Sequence, residues 1–180
     1  MRRAEPVRCA EPALIRLREA FEITCFVAVL GNKGPTVMRI EEPGLAVTIN
    51  VRAGSVMSLL WSATGRVFLG LLDEARVRLM AIEELASATP HMRGLLPLAD
   101  PIASLQKEIQ NLHCAVVQGT FQPGISAVAA PVYDFTGRVC AVITALGASG
   151  GFDPSIDGAI GLAVQREAAV TSRLLGYLAP

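Results

Sequence analysis

Residues 123–146 read PGISAVAAPVYDFTGRVCAVITAL. Two apolar runs flank a short polar break. The first, from Ser126 to Tyr133, is built of Ala and Val; the second, from Val139 to Leu146, alternates β-branched and small residues. Between them stands Asp134-Phe135-Thr136-Gly137. Aspartate opens turns because its carboxylate accepts from backbone N–H groups just ahead of it. Gly137 can take a positive φ without a Cβ clash. The stretch therefore predicts a β-hairpin with a loop of a few residues. Both strands are almost free of charge, so neither face is freely solvated. One face packs on helices, and the other is covered too or lines a cavity, where the alanines leave room.

Outward from the hairpin, the periodicities alternate between helix and strand. Ala10, Leu14, Leu17 and Phe21 fall at helical spacing, with Pro12 expected in the first turn, where a missing N–H is harmless. Thr24 to Leu30 and Thr36 to Ile40 read as strands around the turn Gly31-Asn32-Lys33-Gly34, and Leu45 to Val51 reads as a third. A helix is expected from about Ser62, with Ser62 or Thr64 as its cap, and a short second helix from Asp73 to Ile82. Ala88 to Ala99 holds two prolines and a glycine and reads as a loop. Asp100-Pro101 is a strong helix start, followed by the stripe Ile102, Leu105, Ile109 and Leu112. Cys114 to Gln118 is a short strand leading through a loop to the hairpin. Asp153-Pro154 repeats the helix start before Ile156, Ile160, Ala163, Val164, Val170 and Leu174. The expected class is α+β, with about six short, mostly antiparallel strands flanked by helices.

Composition narrows the function. The chain of 180 residues fits a single domain. It is 52% hydrophobic, with mean hydropathy +0.45, yet no apolar run approaches the roughly 20 residues of a membrane helix. The surplus points to a large core, an interface or an apolar pocket, and with an apolar surface used for self-association a homo-oligomer is expected. Sixteen Lys and Arg balance sixteen Asp and Glu, which leaves no overall field to attract nucleic acid. Cysteines at 9, 25, 114 and 140 form no CxxC pair and read as reduced thiols of a cytoplasmic protein. The N-terminus has no apolar segment of a signal peptide behind its arginines. No metal-ligand spacing is present. His113 and Cys114 are adjacent and, in a strand, would point to opposite faces, so they make no dyad; His91 has no partner pattern. No cofactor is expected.

The segments PGISAVAAPVYDFTGRVCAVITALG at 123–147 and SATGRVFLGLL at 62–72, with the helix at Asp100 to Leu112 and the closing SRLLG at 172–176, resemble the C-terminal effector-binding domain of IclR-type bacterial transcriptional regulators. The resemblance covers nearly the whole chain and implies a GAF-like fold that binds a small organic acid and is not an enzyme. It implies residues 1–180 as one effector-binding domain, with 1–9 as a residual linker, and a homodimer or homotetramer. It also implies a DNA-reading winged helix that is not found ahead of Ala10, so that DNA would be met only through that missing part. The family commonly has Pro-Leu-His where Ser58-Leu59-Leu60 stands here, acidic residues where Val117 to Thr120 stand, a Cys at Ala127, and a Ser pair at Thr144 and Leu146.

Candidate binding residues follow from both readings. Backbone amides at the start of the Ser62 helix, together with its dipole, suit an anion, which selects Ala63, Thr64 and Gly65. In the resembled family these amides hold the acid's carboxylate. Trp61, Phe68 and Phe121 could supply ring contacts, or belong to the core. Leu60, Val117, Ala127 and Leu146, and also Thr144, replace groups that the family offers to a small polar acid. The expected effector is thus an aromatic or otherwise hydrophobic carboxylate. A GAF-like thiol-dependent enzyme would instead bring two cysteines to the pocket, and a purely structural dimerisation module would have no pocket.

Overall fold

The structure, a computed structural model, describes residues 5–44 and 49–179. Helix α1 (Pro6–Phe21) precedes the hairpin of β1 (Thr24–Gly31) and β2 (Gly34–Glu41). Helices α2 (Ala63–Leu71), α3 (Ala75–Ser87), α4 (Pro90–Arg93) and α5 (Pro101–Leu112) follow. Then come β3 (Ala115–Gln118), β4 (Ile125–Tyr133), β5 (Val139–Ala148) and α6 (Ala159–Leu174). The strands form one antiparallel five-stranded sheet in the order β2-β1-β5-β4-β3.

The hairpin of β4 and β5 lies at the interior of this sheet, so both its faces are covered, as its lack of charge requires. Alternation along the strands feeds two cores. Phe26, Ala28, Ala127, Ala129, Val142 and Leu146 point to the side of α2, α3 and α5. Cys25, Val27, Val128, Ala130, Ile143 and Ala145 point to the side of α1 and α6. Asp134 opens the turn as expected: its carboxylate accepts from the N–H and hydroxyl of Thr136, at 2.8 and 2.5 Å, and Gly137 follows at φ +80°. Arg138 of this loop reaches across to Glu74.

Several boundaries differ from the sequence reading, each for a local reason. Pro6, not Pro12, occupies the first turn of α1. Pro12 lies inside the helix on its exposed side, where the freed Arg8 carbonyl can meet water. Of the third expected strand, residues 45–48 lie outside those described, and Ile49 to Val51 pair with no strand. Helix α3 starts behind Glu74, which makes no side-chain cap, and runs on to Ser87. The expected loop after it contains the one-turn α4, capped by the Thr89 hydroxyl on Met92 N–H. Asp100 caps α5 as expected, accepting from Ala103 N–H at 3.2 Å. Asp153 instead closes a turn on Ser155, and α6 begins only after Gly158. The turn is packed on the first turn of α6: a Cβ on Gly161 would lie 2.2 Å from the Ser155 carbonyl oxygen.

Candidate functional site

The register of the sheet places Val117, Ala127 and Leu146 in one row across β3, β4 and β5. The neighbouring row is Ala115, Ala129, Thr144 and Phe26. Over these rows lies the start of α2. Ser62 caps it, its hydroxyl accepting from Gly65 N–H at 2.9 Å and donating to the Ser58 carbonyl at 2.6 Å. The first amides of a helix have no acceptor within it; here these belong to Ala63 and Thr64, at the positive end of the helix dipole.

Between helix and sheet is a small cavity of about 10 Å³, room for roughly one water. Met57 and the helix-start residues Ser62, Ala63 and Thr64 line it together with Phe26, Val117, Ile125, Ala127, Thr144 and Leu146 of the sheet and Phe121 of the loop between β3 and β4. Its lining carries no charged side chain. The hydroxyls of Thr64 and Thr144, both buried, are 2.7 Å apart and satisfy each other. Two residues beyond Thr64, Arg66 is buried and donates from Nε to the Leu60 carbonyl at 2.8 Å. Burial lowers its pKa, opposed by the charge of Glu108.

The loop that feeds α2 is held by an acid that sequence reasoning did not single out. The Glu84 carboxylate of α3 accepts from the Ser58 hydroxyl at 2.8 Å and from the N–H groups of Leu59 and Leu60, at 2.8 and 3.2 Å. The Ser58 hydroxyl oxygen in turn accepts from the Trp61 N–H at 3.0 Å. In sequence Glu84 is one charge among several on a helix, and nothing local marks it as a clamp for a segment 25 residues away.

The cavity wall gathers Ala63, Thr64, Val117, Phe121, Ala127, Thr144 and Leu146 from the residues expected at a site. Leu60, Trp61, Gly65 and Phe68 are not on it. Leu60 is buried behind the Glu84 clamp. Trp61 is a buried ring whose Nε1 donates to the Met92 carbonyl at 2.8 Å. Phe68 is wholly buried in the core under α2. Gly65 permits the close approach of helix and loop, since a Cβ there would fall 1.8 Å from the Ser58 carbonyl oxygen. Phe26, Met57, Ser62 and Ile125 complete the wall. Strand alternation could have placed Phe26 and Ile125 there, once the pairing of β1 with β5 was known.

No cysteine lines the cavity. Cys25 and Cys114 donate to the Leu14 and Ala129 carbonyls within the core on the opposite face. Burial pushes the Cys25 and Cys140 thiols up to about 12 and Cys114 up to about 11. None of these is a ready nucleophile. His113 ends α5 in a left-handed conformation just ahead of Cys114, and His91 is exposed on α4. Among the described residues no group of three or more His, Cys, Asp or Glu could hold a metal ion. No helix among them is long and apolar enough to cross a membrane.

Comparison with known proteins agrees with this architecture. The family model for the bacterial transcriptional regulator IclR C-terminal region matches residues 2–169. The structure of Pseudomonas aeruginosa HmgR is 34% identical and superposes with TM-score 0.85, over 97% of this chain and 68% of that one. A regulator from Alicyclobacillus acidocaldarius is 25% identical with TM-score 0.79, over 96% and 68%. The Thermotoga maritima IclR shares the fold at 19% identity, with TM-score 0.80 over 98% and 70%. No curated protein matches the chain. With the family model spanning nearly the whole chain, the chain belongs to the bacterial transcriptional regulators of the IclR type, as their C-terminal effector-binding domain.

Proposed function

We propose that residues 1–180 act as a single effector-binding domain for a small hydrophobic or aromatic carboxylate. The carboxylate lies at the amides of Ala63 and Thr64 and the body extends toward Val117, Ala127 and Leu146. The observation that carries this reading is the lining of the cavity under α2: it brings the first residues of the helix, Ala63 and Thr64, together with apolar side chains of the sheet and holds no charged group. A small hydrophilic acid would leave polar atoms unpaired there, at about 1–3 kcal/mol for each buried group. An apolar body gains roughly 25 cal/mol per Å² buried.

A cavity that admits a benzene ring has about 150 Å³, against about 10 Å³ here, so side chains must shift for such a ligand. Phe121 is the wall residue best placed to do so, being 36% exposed. Its loop is tied down by the Thr120 hydroxyl, which donates to the Trp61 carbonyl at 2.8 Å. Occupancy changes the packing between α2 and the sheet, and in a homo-oligomer in the bacterial cytoplasm this is passed to a DNA-binding part of the regulator.

Titration calorimetry tests the reading. Benzoate is expected to bind more tightly than glyoxylate or pyruvate, and Ala127→Asp to abolish the preference by placing a charge beside the body. Tighter glyoxylate binding, or an Ala127→Asp variant with unchanged preference, overturns it. Absence of thermal stabilisation by any aromatic or aliphatic acid would favour a structural dimerisation module.

A further inference from the structure

Helix α3 carries apolar side chains on its outer face as well as its inner one. Val77 and Ala81 are buried and Met80 and Leu85 pack half-buried on the core, while Leu79 and Ile82 are 60% and 46% exposed. Ala75 and Ala86 are exposed as well. The steps from 75 to 79, 82 and 86 are those of a coiled-coil seam, and at 100° per residue the four side chains fall within roughly 60° of arc. Arg76 and Glu83, one heptad apart, flank the same edge of this stripe. Among the described residues Glu83 has no hydrogen-bond or ion-pair partner, and Arg76 is held only by neighbouring Glu74, through Nε.

We propose that this face binds a second copy of the chain, with the two α3 helices antiparallel about a two-fold axis beside Met80 and Ala81. That arrangement stacks Leu79 on the partner's Ile82 and Ala75 on the partner's Ala86, and the small alanines let the ends approach. It also sets Arg76 against the partner's Glu83, twice by symmetry. The charge pattern is thus complementary to itself, which is what an isologous interface requires and a different protein would not. A parallel pair would oppose Arg78 and Glu83 instead, but Arg78 is already engaged with Gln106 of α5 at 3.2 Å. The interface is independent of which ligand the cavity takes.

Sedimentation equilibrium of the whole chain tests the proposal, with circular dichroism confirming the fold of each variant. Leu79 is exposed, so Leu79→Glu is expected to fold and to halve the molar mass. Arg76→Glu and Glu83→Arg are each expected to weaken self-association about tenfold, the size of two lost surface ion pairs. The double variant Arg76→Glu/Glu83→Arg is expected to recover it, and Arg78→Glu to change it little. A wild-type monomer at about 100 µM, an unchanged mass for Leu79→Glu, no recovery in the double variant, or an Arg78→Glu effect exceeding that of Arg76→Glu would each overturn it.

Discussion

Replacing Thr64 or Thr144 by valine removes one hydroxyl from the wall of the cavity while keeping the side chain's shape. The two hydroxyls are 2.7 Å apart and are 0% and 1% exposed as residues, so neither is open to bulk solvent. A buried hydroxyl left without its partner costs about 1–3 kcal/mol, whereas replacing both partners by apolar groups of the same shape is nearly neutral. Either single variant should therefore lose roughly 2 kcal/mol, and the double variant less than about 1 kcal/mol. For a domain of this size each kcal/mol shifts Tm by about 2–4 °C, so each single variant should melt about 4–8 °C lower and the double variant close to the wild type. Urea unfolding followed by far-ultraviolet circular dichroism and by the single Trp61 measures all four corners of the cycle. Losses that simply add in the double variant would show that the hydroxyls are not partners, and with that the contact between α2 and β5 at the cavity would be refuted.

Glu84→Ala removes the acceptor of the Ser58 hydroxyl and the Leu59 N–H and should cost about 2–4 kcal/mol, read as a Tm drop; a change within about 1 °C would deny the clamp its role. Gly65→Ala forces a Cβ to within 1.8 Å of the Ser58 carbonyl oxygen, so overpacking should cost at least about 3 kcal/mol and weaken acid binding with it; wild-type stability would disprove the close approach. Thiol ionisation gives a pH dependence. The folded values of Cys25, Cys114 and Cys140, about 12, 11 and 12, lie above the ordinary 9.0, so their contribution is complete below pH 9.0 and is lost as pH rises toward the folded values. The loss is up to about 1.4 kcal/mol per pH unit for each thiol. Urea midpoints should fall from pH 8 to pH 10, less steeply in Cys25→Ala, and a flat profile would contradict the buried placement of these thiols.

The hairpin and the order of elements were legible because they rest on local chemistry. Asp134 and Gly137 specify their turn by themselves, and alternation in Ser126 to Tyr133 and Val139 to Leu146 assigns each side chain a face. The cavity wall was legible in part, since Val117, Ala127 and Leu146 share a row once the strands pair in register. What was not legible depends on contacts distant in sequence. Asp153-Pro154 looks like a helix start, yet Asp153 turns back on Ser155, because that turn packs against Gly161. Trp61 and Phe68 have the composition of a ring clasp, but the core under α2 takes both, and only the position of Met92 shows where the indole N–H goes. Glu84 as a clamp could not be read at all, since its partners lie on a loop whose path is fixed by tertiary structure.

The closed state of the cavity bears on how such a domain can sense. Phe26, Met57 and Phe121 fill the space that a ring would need, so the free protein is packed around its own side chains there. Under the proposed function, a ligand that bound this state unchanged would have no differential affinity and could shift nothing. One that displaces Phe121 must first break the bond from Thr120 to the Trp61 carbonyl, and its apparent affinity falls in proportion to the rarity of the open state. Thr120→Val removes that bond without touching the wall, so it should raise the open population and tighten benzoate binding. The gain should be severalfold, as follows from a net hydrogen-bond contribution of about 1 kcal/mol. Calorimetry on Thr120→Val beside the wild type reads the change directly, and equal or weaker benzoate binding in the variant would show that opening does not run through this loop.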